Sequence, residues 1–164
     1  MKKETIQQNY TTVQLISLTV LRVLIGWHFL YEGLVKLYTP GWTAKDYLLG
    51  SAGPIALIFN SLAKSSSVLH FVDLVNEWGL VIIGIGLFIG LFSKPLKILG
   101  VLFLLLYYLA YPPFPDLTSG VSIEGSYWIV NKNLIELAAL CVLFFFPSSY
   151  ITGIDRFIQL KKHK

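Results

Sequence analysis

Arg22, His28, Glu32 and Lys36 stand within a single apolar stretch, residues 13–37. An imidazole and a carboxylate can pass protons between them, while a guanidinium or ammonium can hold an anion or a developing oxyanion. At about 100° per residue the four side chains share a helical arc of about 120°. His28, Glu32 and Lys36 are also spaced i, i+4 and i+8, so neighbours can hydrogen-bond along the helix. Trp27, Tyr31 and Leu34 fall on the opposite side. About 20 residues at 1.5 Å each cross the roughly 30 Å hydrocarbon layer, so the pattern predicts a membrane span. Charges inside a span are costly and face a bundle interior or a wet cavity. The polar face of this helix is where function is to be sought.

Three more spans must position that face. They are predicted at residues 74–92 (LVNEWGLVIIGIGLFIGLF), 96–111 (LKILGVLFLLLYYLAY, after the break Ser93-Lys94-Pro95) and 133–146 (NLIELAALCVLFFF), the last two short for a full crossing and the fourth extended by residues 148–151 to 133–151. With four crossings, polar residues from all four helices meet at one depth. His28, Glu32 and Lys36 come from the first, Asn76 and Glu77 from the second, Tyr107, Tyr108 and Tyr111 from the third, Asn131, Asn133 and Glu136 from the fourth. In this reading His28, Glu32 and Glu77 are the proton-moving candidates. Arg22, Lys36, Asn76, Tyr107, Tyr111, Asn133 and Glu136 are the binding candidates around a cavity open to the outer face. Structural roles compete with each of these. Glu77 and Glu136 sit where helix N-termini favour carboxylates by about 0.3–1 kcal/mol, the tyrosines fit an interfacial belt, and Glu32 with Lys36 fits a pair that holds the bundle. Within that pair Lys36 lies nearer the surface and can snorkel to water, so loss of Glu32 is expected to cost more. Gly26 and Gly33, and the GxxxG spacing of Gly86 and Gly90, provide for close helix packing.

Composition supports one membrane domain over residues 1–164: the chain is 55% hydrophobic and 13% charged, with a mean hydropathy of +0.66. The net charge of +4 is not a nucleic-acid signature, because the basic residues collect at segment ends. Lys2, Lys3, Lys94, Lys97, Arg156, Lys161, Lys162 and Lys164 fall on one side, against Lys36, Lys45, Lys64 and Lys132 on the other. That excess predicts both termini in the cytoplasm. The first span lacks a small-residue cleavage site and reads as an anchor. Cys141, the single cysteine, excludes an internal disulfide, and no metal-ligand, phosphate-loop or Ser/His/Asp spacing is present. The long outer connection, residues 39–72, holds two short helices expected to lie in the interface: TAKDYLLG, opened by a Thr43/Asp46 capping box, and IALIFNSLAK after Pro54. Residues 152–164 form a basic amphipathic tail suited to anionic lipid.

LRVLIGWHFLYEGLVKL and NEWGLVIIGIGLFIGLFSKPLKILG resemble the two motifs of the DoxX family, and GWTAKDYL is similar to its DoxD branch, the membrane subunit of thiosulfate:quinone oxidoreductases. The resemblance spans about half the chain. It implies a four-helix bundle in a bacterial inner membrane, places the family's polar positions on Arg22, Glu32, Lys36 and Glu77, and suggests a quinone as substrate and a membrane or periplasmic redox partner subunit. The expectation is therefore an all-α membrane protein, a four-transmembrane-helix bundle with short interfacial helices, acting as a quinone-linked oxidoreductase component with thiosulfate or a related sulfur anion as donor. Two other classes stay open: a non-enzymatic assembly or partner-binding subunit, and a lipid or isoprenoid binder.

Overall fold

The computed structural model describes residues 10–114 and 126–162. Lys2, Lys3 and Lys164, used above, lie outside the described residues. Within them the chain is helical: α1 (Thr12–Tyr38), α2 (Lys45–Leu49), α3 (Ala56–Lys64), α4 (Ser66–Ile89), α5 (Ser93–Ala110), α6 (Lys132–Phe145), α7 (Ser149–Thr152) and α8 (Asp155–Lys162). One feature is not helical. Strands β1 (Ser126–Tyr127) and β2 (Val130–Asn131) pair antiparallel in a small ribbon that leads into α6.

The start of α1 is set by a capping box. Thr11 Oγ1 accepts from Gln14 N–H at 3.3 Å, and Gln14 Oε1 accepts from Thr11 N–H at 3.0 Å. α4 begins at residue 66 rather than 74, because nothing between Ser66 and Trp78 breaks a helix and Leu69 and Val72 pack against a second small core. The connection therefore ends at residue 65. Gly90, at φ 72°, closes α4 at Ile89, three residues short of the expected end, and α5 starts at Ser93 rather than residue 96. Pro95 is tolerated in that first turn, where its missing N–H has no helical partner to lose. The expected span 133–151 is broken: Pro147 drives Phe146 out of helical geometry, leaving α6 and a separate α7. By length and hydropathy α1, α4 and α5 could cross a membrane, whereas the 14 residues of α6 span only about 21 Å.

Glycines bring α1 and α4 together. A Cβ on Gly84 would stand 2.4 Å from Leu30 N, and one on Gly26 would stand 2.6 Å from Phe88 N. Gly84 is where α4 meets the α1 backbone, whereas Gly86 receives Leu96 of α5 and Gly90, which ends the helix, faces the Arg22 guanidinium of α1. α5 packs chiefly on α6, and the two helix pairs enclose a core that includes Ile25, Phe29, Leu80, Ile83, Leu87, Leu104, Leu140 and Leu143.

Candidate functional site: a cavity at one end of the bundle

Where the two helix pairs diverge they leave a cavity of about 320 Å³. Phe29, Leu80 and Leu104 line its apolar side. His28, Glu32 and Lys36 from α1, Asn76 from α4, Tyr107 from α5, and Lys132 and Asn133 from α6 contribute the polar groups. Trp42, Thr43, Ala44 and Tyr47 complete it from the α1–α2 connection and α2. Apolar walls with a few convergent polar groups are the usual makeup of a small-molecule site.

Helical spacing explains the polar face of α1, but its pairing depends on a second helix. Asn131 caps α6 by accepting from Leu134 N–H at 3.0 Å, and this start places Glu136 in the second turn, facing α1. With Glu136 ionised, His28 Nδ1–H donates to its two carboxylate oxygens at 2.9 and 2.8 Å. His28 Nε2 lies 3.9 Å from Glu32, beyond hydrogen-bond range, and is free to turn a proton or a lone pair to a ligand. Lys36 donates to the Glu32 carboxylate at 3.0 Å, and its ammonium stands 5.6 Å over the Trp42 ring. Tyr107 OH donates to Asn76 Oδ1 at 3.1 Å. Burial of the Tyr47 hydroxyl raises its pKa above the usual phenol value, which keeps it a neutral donor.

Not every expected site residue reaches this cavity. His28, Glu32, Lys36, Asn76, Tyr107 and Asn133 line it, and Glu136 stands directly behind His28. Glu77 does not line it; its backbone carbonyl lies at the close approach of α4 to Gly33. Tyr111 is also outside the lining and donates instead to Tyr47 O at 2.8 Å. Arg22 cannot share a ligand with Lys36, from which 14 residues, about 21 Å along α1, separate it. The relative exposure of the Glu32–Lys36 pair also reverses the expectation, because the Lys36 side chain is 17% exposed and the Glu32 side chain 42%. Folding Lys36 over Trp42 removes it from water.

The sequence reading missed Trp42, Thr43, Tyr47 and Lys132 as lining groups, and Asp73 behind them. Asp73 accepts from Thr43 Oγ1 at 2.9 Å and from Ala44 N–H at 2.8 Å. Thr43 Oγ1 also accepts from Lys45 N–H at 3.3 Å, so this threonine serves Asp73 and α2, and the expected box with Asp46 does not form. The available signal was a carboxylate in an apolar run, one turn before Asn76 and Glu77.

Arg22 belongs to a second polar cluster at the opposite end of the core. It is 1% exposed and donates to Leu87 O, near the C-terminus of α4, at 2.9 Å. Lys97 is equally buried and donates to Leu143 O, near the C-terminus of α6, at 2.9 Å. It is therefore not the free surface lysine that the charge distribution suggested. Asp155 accepts from the N–H groups of Phe92 and Ser93 and from Ser93 Oγ, tying the start of α8 to the start of α5. Known protein families, curated proteins and solved structures offer no match to the chain.

Proposed function

We propose that this chain is a four-span membrane subunit of DoxX type that binds a quinone headgroup in the cavity and exchanges protons with it through His28 and Glu136. The observation that carries the reading is the arrangement of the cavity itself. A histidine held by a carboxylate on one nitrogen presents its other nitrogen to a space with an apolar side formed by Phe29, Leu80 and Leu104. α6 with α7 makes the fourth crossing, both termini are cytoplasmic, and the cavity opens on the outer side of a bacterial inner membrane. Trp27, Tyr31, Ile82 and Ile85, exposed on α1 and α4, face lipid. Reduction of a quinone to the quinol takes two electrons and two protons. The electrons come from a thiosulfate-class anion, two of which join to tetrathionate with release of two electrons, either directly or through a partner subunit. A protonated His28 gives its Nε2 proton to one quinone oxygen and keeps Nδ1–H bonded to Glu136, the Lys36 ammonium gives the second proton to the other oxygen, and both groups regain protons from the outer aqueous phase.

A second reading, a scaffold or assembly subunit, is favoured by the pairing of His28 with Glu136 and of Lys36 with Glu32, which gives each of these groups a partner within the protein. The test is direct. The purified protein in lipid nanodiscs is titrated with menadione and ubiquinone-1, following tryptophan quenching, and is examined for co-extracted quinone. Saturable binding that His28→Ala weakens supports the site, whereas absence of both binding and co-extracted quinone favours the scaffold. Reporters placed at Lys64 and Lys94 are expected on opposite sides of the membrane, and a shared side would reject the four-span arrangement.

A further inference from the structure

Among the described residues, the wall formed by residues 42–47 is the only side of the cavity drawn from neither helix pair, and its two ends are held differently. On one side is the tight turn at Gly41, φ 70°, closed by a single bond from Trp42 N–H to Thr39 O at 3.1 Å and open to space where a Cβ would stand. On the other side the chain is fixed: Ala52 and Gly53 N–H both donate to Ala110 O, at 3.1 and 3.0 Å, and Tyr111 OH donates to Tyr47 O. A Cβ on Gly53 would collide with Leu109 O, so that anchor sits directly on the α5 backbone.

Between pivot and anchor, Asp73 holds the start of α2 with one oxygen on Ala44 N–H and the other on Thr43 Oγ1. α2 has five residues and is too short to persist unaided. Two charge-assisted bonds from a rigid helix fix both its position and its direction. We infer that Asp73 is a positioning residue that keeps the 42–47 wall closed over the cavity and so sets how quickly a bound quinone headgroup exchanges. Only the identity of the ligand rests on the quinone reading; the closure follows from contacts made without one. When the Asp73 contacts are lost, Trp42 and Thr43 swing about Gly41 while Tyr47 stays pinned.

Two measurements test this. In a variant whose other tryptophans (Trp27, Trp78 and Trp128) are Phe, stopped-flow quenching of Trp42 reports menadione dissociation. Asp73→Ala is expected to speed dissociation roughly tenfold or more, the size expected for losing a charged hydrogen bond. Asp73→Asn keeps an acceptor for Ala44 N–H but loses the charge, so a smaller rise of about threefold to fivefold is expected. Thr43→Val, which removes one contact, should fall between and covers the case of a poorly folded Asp73→Ala. Without ligand, maleimide labelling of Ala44→Cys in a Cys141→Ala background should accelerate by the same order in Asp73→Ala and by clearly less in Asp73→Asn. Faster labelling in a protein that binds no quinone rejects the quinone reading and keeps the latch. Labelling unchanged in folded Asp73→Ala, or equal changes in the Ala and Asn variants, overturns the latch.

Discussion

Glu136→Gln is the most informative single change, because it keeps the side chain's length and removes its charge. One N–H shared between two carboxylate oxygens counts as one charge-assisted hydrogen bond. Such a bond contributes about 1.5–3 kcal/mol net, and a neutral one about 0.5–1.5. The glutamine is therefore expected to cost about 1 kcal/mol, the lower end because the His28 side chain is 39% exposed although Glu136 is only 11%. Glu136→Ala also opens space and strands Nδ1–H, and about 2–3 kcal/mol is expected. A double-mutant cycle with His28→Ala should return a coupling of about 1 kcal/mol. Glu32→Gln is the control, since its pair is more exposed and exposed pairs contribute about 0.2–1 kcal/mol. Stability is read by reversible unfolding in mixed micelles. Coupling below about 0.3 kcal/mol, or equal costs for Glu136→Gln and Glu32→Gln, would refute the claim that this pair is the organised one. The catalytic arm is separate: quinone reduction by a thiosulfate-class donor should fall about 10²–10⁴-fold in Glu136→Gln if the pair moves protons. Turnover unaffected by the change would remove the proton role and leave only the structural one.

Gly84→Ala should destabilise by about 1–3 kcal/mol, because its Cβ meets Leu30 backbone and the helices must part. Gly79→Ala should cost less, since its Cβ meets the tip of the Phe103 ring, which can turn aside; thermal melting compares the two. Lys36→Ala is expected to cost more than Glu32→Ala, through lost packing over Trp42 as well as the lost pair, and the opposite order would restore the snorkelling lysine. Asp155→Ala removes the acceptor for Phe92 N–H, Ser93 N–H and Ser93 Oγ, a loss of about 2–3 kcal/mol that limited proteolysis should register as release of the C-terminal segment.

Periodicity made the polar face of α1 legible, because 3.6 residues per turn fixes which side chains share a side without knowledge of the neighbours. Turn and cap signals located the two short helices after Pro40, and the polar positions of the spans supplied six of the residues that line the cavity, His28, Glu32, Lys36, Asn76, Tyr107 and Asn133. Boundaries were less legible. A Pro reads as a break, yet Pro95 sits harmlessly in a first turn while Pro147 does end a helix, and the difference lies in where each helix begins, which for α5 is held by Asp155, more than sixty residues from Ser93 in sequence. Tertiary partners were least legible. Nothing local distinguishes Glu77, directed away from the cavity lining, from Glu136, which meets His28 across 108 positions. Lys97 read as a surface charge because lysine usually is one, and only the free carbonyl of Leu143 explains its burial.

The contrast between the two ends of α1 explains why the candidate chemistry belongs at one of them. Arg22 and Lys97 each meet carbonyl groups near a helix C-terminus, where unpaired carbonyls carry roughly half a negative charge. A buried cation placed there is stabilised by backbone that cannot rearrange, so moving it would leave both the charge and the carbonyl desolvated. Such groups hold helices together and are poorly suited to change partners. His28, Glu32 and Lys36 instead pair with side chains beside an open volume, where a ligand can substitute for a partner without exposing a buried carbonyl. A site that must pick up and release protons needs partners that can be exchanged. Between the two ends lie Ile25, Ile83, Leu87, Leu140 and Leu143, an apolar layer that keeps the structural cations electrostatically and sterically apart from the exchangeable ones.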